Sequence, residues 1–113
     1  MPYLDIRTTK KVAPAVAEKL QVEIGKIMPT IPGKTVANTL ISIGDGFVTF
    51  KNGAQVDSVF VDVRMLKVSP EDSKKAFVEK ITPIFEEILE VSREHIHLNF
   101  TEKENWGIGG EYI

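Results

Sequence analysis

The sequence predicts an α/β fold made of two β-α-β units of similar length, which together form a four-stranded sheet with two helices on one face. Three observations carry this. Residues 3–8, 59–66 and 95–101 alternate in side-chain character with the period of strands. Two longer segments, 11–28 and the stretch beginning at Pro70, place apolar residues at three- and four-residue intervals, the period of helices. The order strand, helix, strand then occurs twice, although the halves share negligible sequence identity. At 113 residues the chain has the size of one domain, 1–113, able to bury roughly two-thirds of its unfolded surface.

The first strand turns Leu4 and Ile6 to one side and Tyr3, Asp5 and Arg7 to the other. In the first helix Val12, Val16, Leu20, Ile24 and Ile27 form one stripe, and Pro14 fits the first turn, where its missing N–H has no intrahelical acceptor to lose. Pro29, Pro32 and Gly33 end that helix. Residues 36–43 are rich in β-formers, and Asn52-Gly53 between residues 47–50 and 54–56 is a strong hairpin signal. In the third strand Val59, Val61, Val63 and Met65 oppose Phe60, Asp62 and Arg64.

Ser69-Pro70-Glu71-Asp72 reads as a helix start, with Ser69 as N-cap, Pro70 at the first position and two acids against the positive end of the dipole. Phe77, Ile81, Ile84, Phe85 and Ile88 form its stripe. Pro83 removes one backbone bond and predicts a bend near Glu79 or a frayed second half. The last strand sets Ile96, Leu98 and Phe100 against His95, His97, Asn99 and Thr101, and a glycine-rich tail follows. Two helices cover one face of such a sheet. The other face, expected to carry Val, Phe and Met, is left open and implies oligomerisation.

Composition narrows the function. The net charge of −2 is spread without a basic patch, which argues against nucleic acid and an anionic membrane as partners. Cysteine is absent, which excludes thiol chemistry and thiolate metal sites. No apolar leader or bilayer-length segment occurs, so the expected location is cytoplasmic. Neither Gly44-Asp45-Gly46 nor the glycines at 107, 109 and 110 links a strand to a following helix as a phosphate loop would, and no cofactor is expected. His95 and His97 lack a third ligand at a recognisable spacing, so no metal is expected either.

Pro2 carries the chemical reading. A small second residue permits removal of Met1, which leaves a secondary amine at the chain end. A chain-terminal amine titrates near ~7.7–8.0, and burial or a neighbouring cation lowers it toward a value where it is a base at neutral pH. Such a positioned base contributes roughly 10²- to 10⁴-fold to a proton transfer.

With a strand beginning at residue 2 and the doubled β-α-β order, the chain resembles the tautomerase superfamily, in particular the branch of macrophage migration inhibitory factor and the carboxymethyl-hydroxymuconate isomerases. Residues 59–63, Val-Phe-Val-Asp-Val, and the aromatic, glycine-containing tail 106–113 also resemble a bacterial branch of that superfamily. The resemblance implies a homotrimer acting on a small-molecule carboxylate. It implies that Lys34 of Gly33-Lys34 lies beside the proline and binds the substrate's acid group. It implies that His97, standing where the family has a tyrosine, and Asn99 reach a neighbouring subunit's pocket, and that Trp106 and Ile108 form an apolar wall. Arg64 or Met65 faces the pocket by alternation, Arg64 being the candidate carboxylate clamp.

The expected activity is keto-enol proton transfer on an α-keto or unsaturated acid, with Pro2 as base. The alternatives are hydratase, dehalogenase or decarboxylase chemistry with Pro2 as acid, or a non-catalytic trimeric binding module.

Overall fold

The computed structural model describes residues 1–113. Eight strands and two helices follow in the order β1 (Pro2–Thr8), α1 (Pro14–Ile27), β2 (Leu40–Gly44), β3 (Thr49–Lys51), β4 (Ala54–Val56), β5 (Val59–Leu66), α2 (Glu71–Leu89), β6 (Ile96–Lys103), β7 (Gly107–Ile108) and β8 (Glu111–Tyr112). The main sheet has the order β2-β1-β5-β6. Its outer pairs are parallel and its central pair, β1 with β5, is antiparallel. Each parallel pair is bridged by a helix, so the two β-α-β units meet back to back along the middle of the sheet.

Both helices lie on one face. Leu4 and Ile6 of β1 and Val59, Val61, Val63 and Met65 of β5 are buried there beneath Leu20 and Ile24 of α1 and Phe77, Ile81 and Phe85 of α2. Phe77 meets Phe100 of β6 edge-on, with ring centroids 6.2 Å apart. The alternation along β5 therefore sends every Val and the Met inward. The open face is not the Val, Phe and Met surface expected from the sequence. It carries Phe60 among paired charges, with Asp5 3.4 Å from Arg7 and Asp62 2.9 Å from Arg64. This face is more polar than expected, although Phe60 remains exposed on it.

Four local expectations shift. The first helix begins at Pro14 rather than at residue 11, with Ala13 as extended N-cap. Residues 36–43 are not one strand: Val36–Asn38 is a 3-10 turn, because Asn38 Oδ1 accepts the Thr35 N–H at 3.0 Å and Asn38 Nδ2 donates to the Gly33 carbonyl at 3.1 Å. Pro70, not Ser69, is the N-cap of α2; the Ser69 N–H donates instead to Glu102 Oε2 at 2.6 Å. Pro83 does not fray the second half of α2, which runs on to Leu89 and ends at Glu90 with φ 57°.

The Asn52-Gly53 hairpin forms as its sequence requires. Lys51 pairs with Ala54, and both loop residues have positive φ, 51° and 79°, as a two-residue type I′ turn demands. The tail forms a second small hairpin in which Gly107 pairs with Tyr112, and Trp106 and Ile113 exchange backbone bonds of 3.1 and 2.8 Å. No helix is long and apolar enough to cross a membrane.

Candidate active site

Pro2 opens β1 and is buried, on the helix side of the sheet. It lies beside a cavity of about 350 Å³ whose lining includes Ala37, Asn38, Thr39, Leu40, Trp106 and Ile108. Residues 37–40, from the turn into β2, and residues 106–108 of the tail supply its walls. Trp106 and Ile108, expected as an apolar wall, thus meet Pro2 within one chain. Asn38, Thr39 and Leu40 were not anticipated. Their sequence signal is Thr35-x-x-Asn38, a capping pattern that breaks the β-rich run of residues 36–43 and turns the chain toward Pro2.

Lys34 is delivered to the same place by local geometry. Ile31-Pro32-Gly33-Lys34 is a tight turn closed by the Lys34 N–H donating to the Ile31 carbonyl at 3.0 Å. Pro at its second position and Gly33 at its third, with φ 79°, are the residues a type II turn requires. Lys34 Nζ then donates to the Leu66 carbonyl at 3.3 Å, at the end of β5 beside Pro2's strand. It makes no salt bridge. The amine at the chain start, on Met1, is held below its ordinary value, first by burial, then by the positive charge of Lys34 and by a hydrogen bond with its side chain.

The strand register places the remaining candidates elsewhere. Pro2 pairs with Met65, which is buried on the same side of the sheet. Arg64 projects to the open face, where Asp62 Oδ2 accepts from its Nε at 3.2 Å and its Nη2 at 2.9 Å, and where it lies over the Tyr3 ring. The expectation of Arg64 as carboxylate clamp is not met within the chain, because alternation gives Pro2's side to Met65.

His97 and Asn99 sit on the open face of the edge strand β6. His97 is level with Phe60 and Arg7, five residues along β1 from Pro2, roughly 17 Å by strand rise. It lines a second cavity, of about 360 Å³, with Phe50, Phe60 and His95. Its Nε2 lies 3.0 Å from the Glu94 carbonyl, while His95 Nε2 lies 3.8 Å from the Glu94 carboxylate. No group of three or more His, Asp or Glu side chains is arranged to hold a metal. One chain therefore brings Pro2, Trp106 and Ile108 to one cavity and Lys34 to the Met1 amine at its edge, and leaves Arg64, His97 and Asn99 apart from them.

A family model described as Tautomerase enzyme matches residues 60–113. No curated protein matches the sequence. Among solved structures, the chain is similar to the MIF2 protein of Leishmania major, with TM-score 0.92 and 16% identity over 100% of this chain and 97% of that one. It is similar also to the macrophage migration inhibitory factor-like protein of Entamoeba histolytica, with TM-score 0.86 and 20% identity over 99% and 98% of the two chains. A third is Pt0534 inactivated by 2-oxo-3-pentynoate, with TM-score 0.78 and 14% identity over 96% and 93%.

Proposed function

From the premise that this chain belongs to the tautomerase superfamily, with the fold of its migration inhibitory factor-like members, we propose that it is a tautomerase in which Pro2, freed by removal of Met1, moves a proton between carbon and oxygen of a small α-keto acid. The observation that carries the proposal is a buried Pro2 in a cavity walled by Trp106 and Ile108, with the Lys34 cation within hydrogen-bond reach of the chain-start amine on Met1, which lines the same cavity.

The chemistry follows from the residues. Burial and Lys34 both disfavour a protonated amine at the chain start, and the same two causes would favour the basic form of a Pro2 amine placed there. It takes a proton from the carbon next to the keto group, the C–H electron pair forms the C=C bond as the C=O π pair moves to oxygen, and the ammonium so formed gives the proton to that oxygen. Lys34 holds the carboxylate and the growing enolate charge, where a cation is worth most in a site shielded from water. In the reverse direction the amine takes the enol O–H proton and gives it to carbon as the C=O bond re-forms. The apolar wall fits the substrate's tail and excludes solvent. Use of Pro2 as an acid, in hydration or dehalogenation, is disfavoured by the same cation. In the trimer implied by the resemblance, Asn99 of the partner subunit and His97 of the partner subunit would close the cavity's open side.

The α-keto acid class draws support from Pt0534, whose inactivator is a 2-oxo acid bearing an alkyne conjugated to the ketone. An unprotonated amine adds to such an alkyne: the N–C bond forms, one π bond is consumed, and the amine proton passes to the neighbouring carbon. Intact mass is expected to lack Met1 and, after 2-oxo-3-pentynoate, to rise by one equivalent located on the N-terminal peptide. Phenylenolpyruvate ketonisation should fall at least 100-fold in Pro2→Ala. Retention of Met1, or labelling at Lys34 in its place, would overturn the proposal.

A further inference from the structure

Pro2, Met65 and Glu102 form a straight row across three strands, all on the helix side of the sheet. Glu102 is a carboxylate in a place where β6 otherwise offers Ile96, Leu98 and Phe100 to the core. Its side chain is 14% exposed. It is also fully engaged. Oε2 accepts the Ser69 N–H at 2.6 Å, and Oε1 accepts from Lys74 Nζ at 2.7 Å. Lys74, on the first turns of α2, is itself 11% exposed and reaches Glu71 at 3.0 Å. A largely buried ion pair often gains no more stability than apolar packing of the same volume, which leaves room for a role beyond stability.

We propose that Glu102, held by Lys74 and the Ser69 N–H, is a positioning residue that sets how strongly Lys34 acts on the amine of Pro2. This rests on the proposed role of that amine. Two strand spacings separate Glu102 from Pro2, about 10 Å, and Lys34 is anchored to the Leu66 carbonyl beside that row. Leu66, which anchors Lys34, directly follows Met65, the strand partner of Glu102, so the carboxylate and the Lys34 ammonium act on one another and Glu102 partly offsets the lysine's charge. Consistent with this, burial alone would raise the Glu102 carboxyl, yet the Lys74 hydrogen bond, the Ser69 N–H and the charges of Lys74 and Lys34 hold it below its ordinary range. The other charged groups at this end of the sheet are Glu71, Lys75, Lys103, and Lys67 with Glu104, the last two 3.6 Å apart and exposed. None of them joins the buried pair except Glu71.

The pair makes a signed prediction that a merely structural role does not. Glu102→Gln keeps an acceptor for Ser69 but removes the offset, and the amine pKa is expected to fall by about half a unit or more. Lys74→Met leaves Glu102 unneutralised, and the amine pKa is expected to rise by a similar amount. The double variant should return it to within about 0.2 unit of the wild type. The readout is ¹⁵N NMR titration of the Pro2 nitrogen in the full chain, with no substrate. Each single variant decides alone: an unmoved value, or a shift of the opposite sign, overturns the inference. Should neither single variant fold, the unaltered chain serves, since the Lys34 ¹³Cε resonance must then move over the pH range in which Glu102 titrates, and its constancy there overturns the inference. Absence of a titrating Pro2 amine in the wild type would instead overturn the proposed function.

Discussion

Pro2 stands directly across the antiparallel central pair from Met65, and Arg64, one residue on, points through to the other face of the sheet. This single register fixes which neighbours can act on the amine from β5. Arg64→Ala is expected to leave KM for a small α-keto acid within about twofold, because its guanidinium is committed to Asp62. Met65→Ala should instead lower stability by about 2–5 kcal/mol, the range for emptying a fully buried site of this kind. Steady-state kinetics and urea unfolding separate the two outcomes.

Lys34→Met tests the electrostatic half of the site. Lys34 lowers the pKa of the chain-start amine after burial has already done so, hence its removal raises that pKa without restoring the ordinary value. A raised pKa leaves more of the amine protonated at neutral pH. The acid limb of the pH dependence of kcat/KM, which reports the free enzyme, is expected to move to higher pH, and part of the lost activity to return as pH rises. An unchanged limb with a higher KM would assign Lys34 to substrate binding only.

Most of the frame was legible because strands and helices here follow their periods closely. Leu4 and Ile6, and the run Val59, Val61, Val63 and Met65, alternate so regularly that the core face could be read directly. What escaped was decided by side chains acting on backbone. Asn38 turns a β-rich segment into a 3-10 turn, and α2 begins one residue later than its Ser-Pro-Glu-Asp signal predicts, with the Ser69 N–H tied to Glu102. The open face differs from expectation because Val59, Val61, Val63 and Met65 all lie under the helices, which leaves it Phe60 with Asp5, Arg7, Asp62 and Arg64. Lys34, Trp106 and Ile108 came from the resemblance, and only the fold brings Lys34 to the chain start and the other two to Pro2's cavity. Proximity of Pro2 to Asn38 and Thr39 had no periodic signal at all.

Acid should weaken the fold through Glu102. Its carboxyl is lowered in the folded chain, so the stability it contributes is present above its ordinary value of 4.5 and is lost as pH falls through the lowered folded value. Glu86, lowered by Arg93 in the same direction, is more exposed and is expected to contribute less. Urea midpoints for the wild type should decline below about pH 4.5 as these carboxylates protonate, and Glu102→Gln should flatten that decline. An equal slope in both would show that Glu102 contributes nothing to the acid limb.

Gly25 links the helix to the cavity wall. It is buried in α1, and a Cβ there would meet Val36 Cγ2 at 2.9 Å and Cβ at 3.3 Å. Alanine in a helix interior is favoured over glycine by about 1 kcal/mol, but here its methyl must push Val36, whose branched side chain turns only at a cost. Val36 begins the turn that carries Asn38 and Thr39 to Pro2, so the displacement is passed to the site. Gly25→Ala is therefore expected to raise KM and to leave stability unchanged or lower. In a Val36→Ala background, Val36 being 55% exposed and cheap to truncate, the 2.9 Å clash with Cγ2 is removed and only the tighter-than-usual 3.3 Å approach to Cβ remains. The double variant should then recover the wild-type KM and exceed the Val36→Ala single variant in stability by up to about 1 kcal/mol, a sign reversal that urea unfolding of the four chains would resolve.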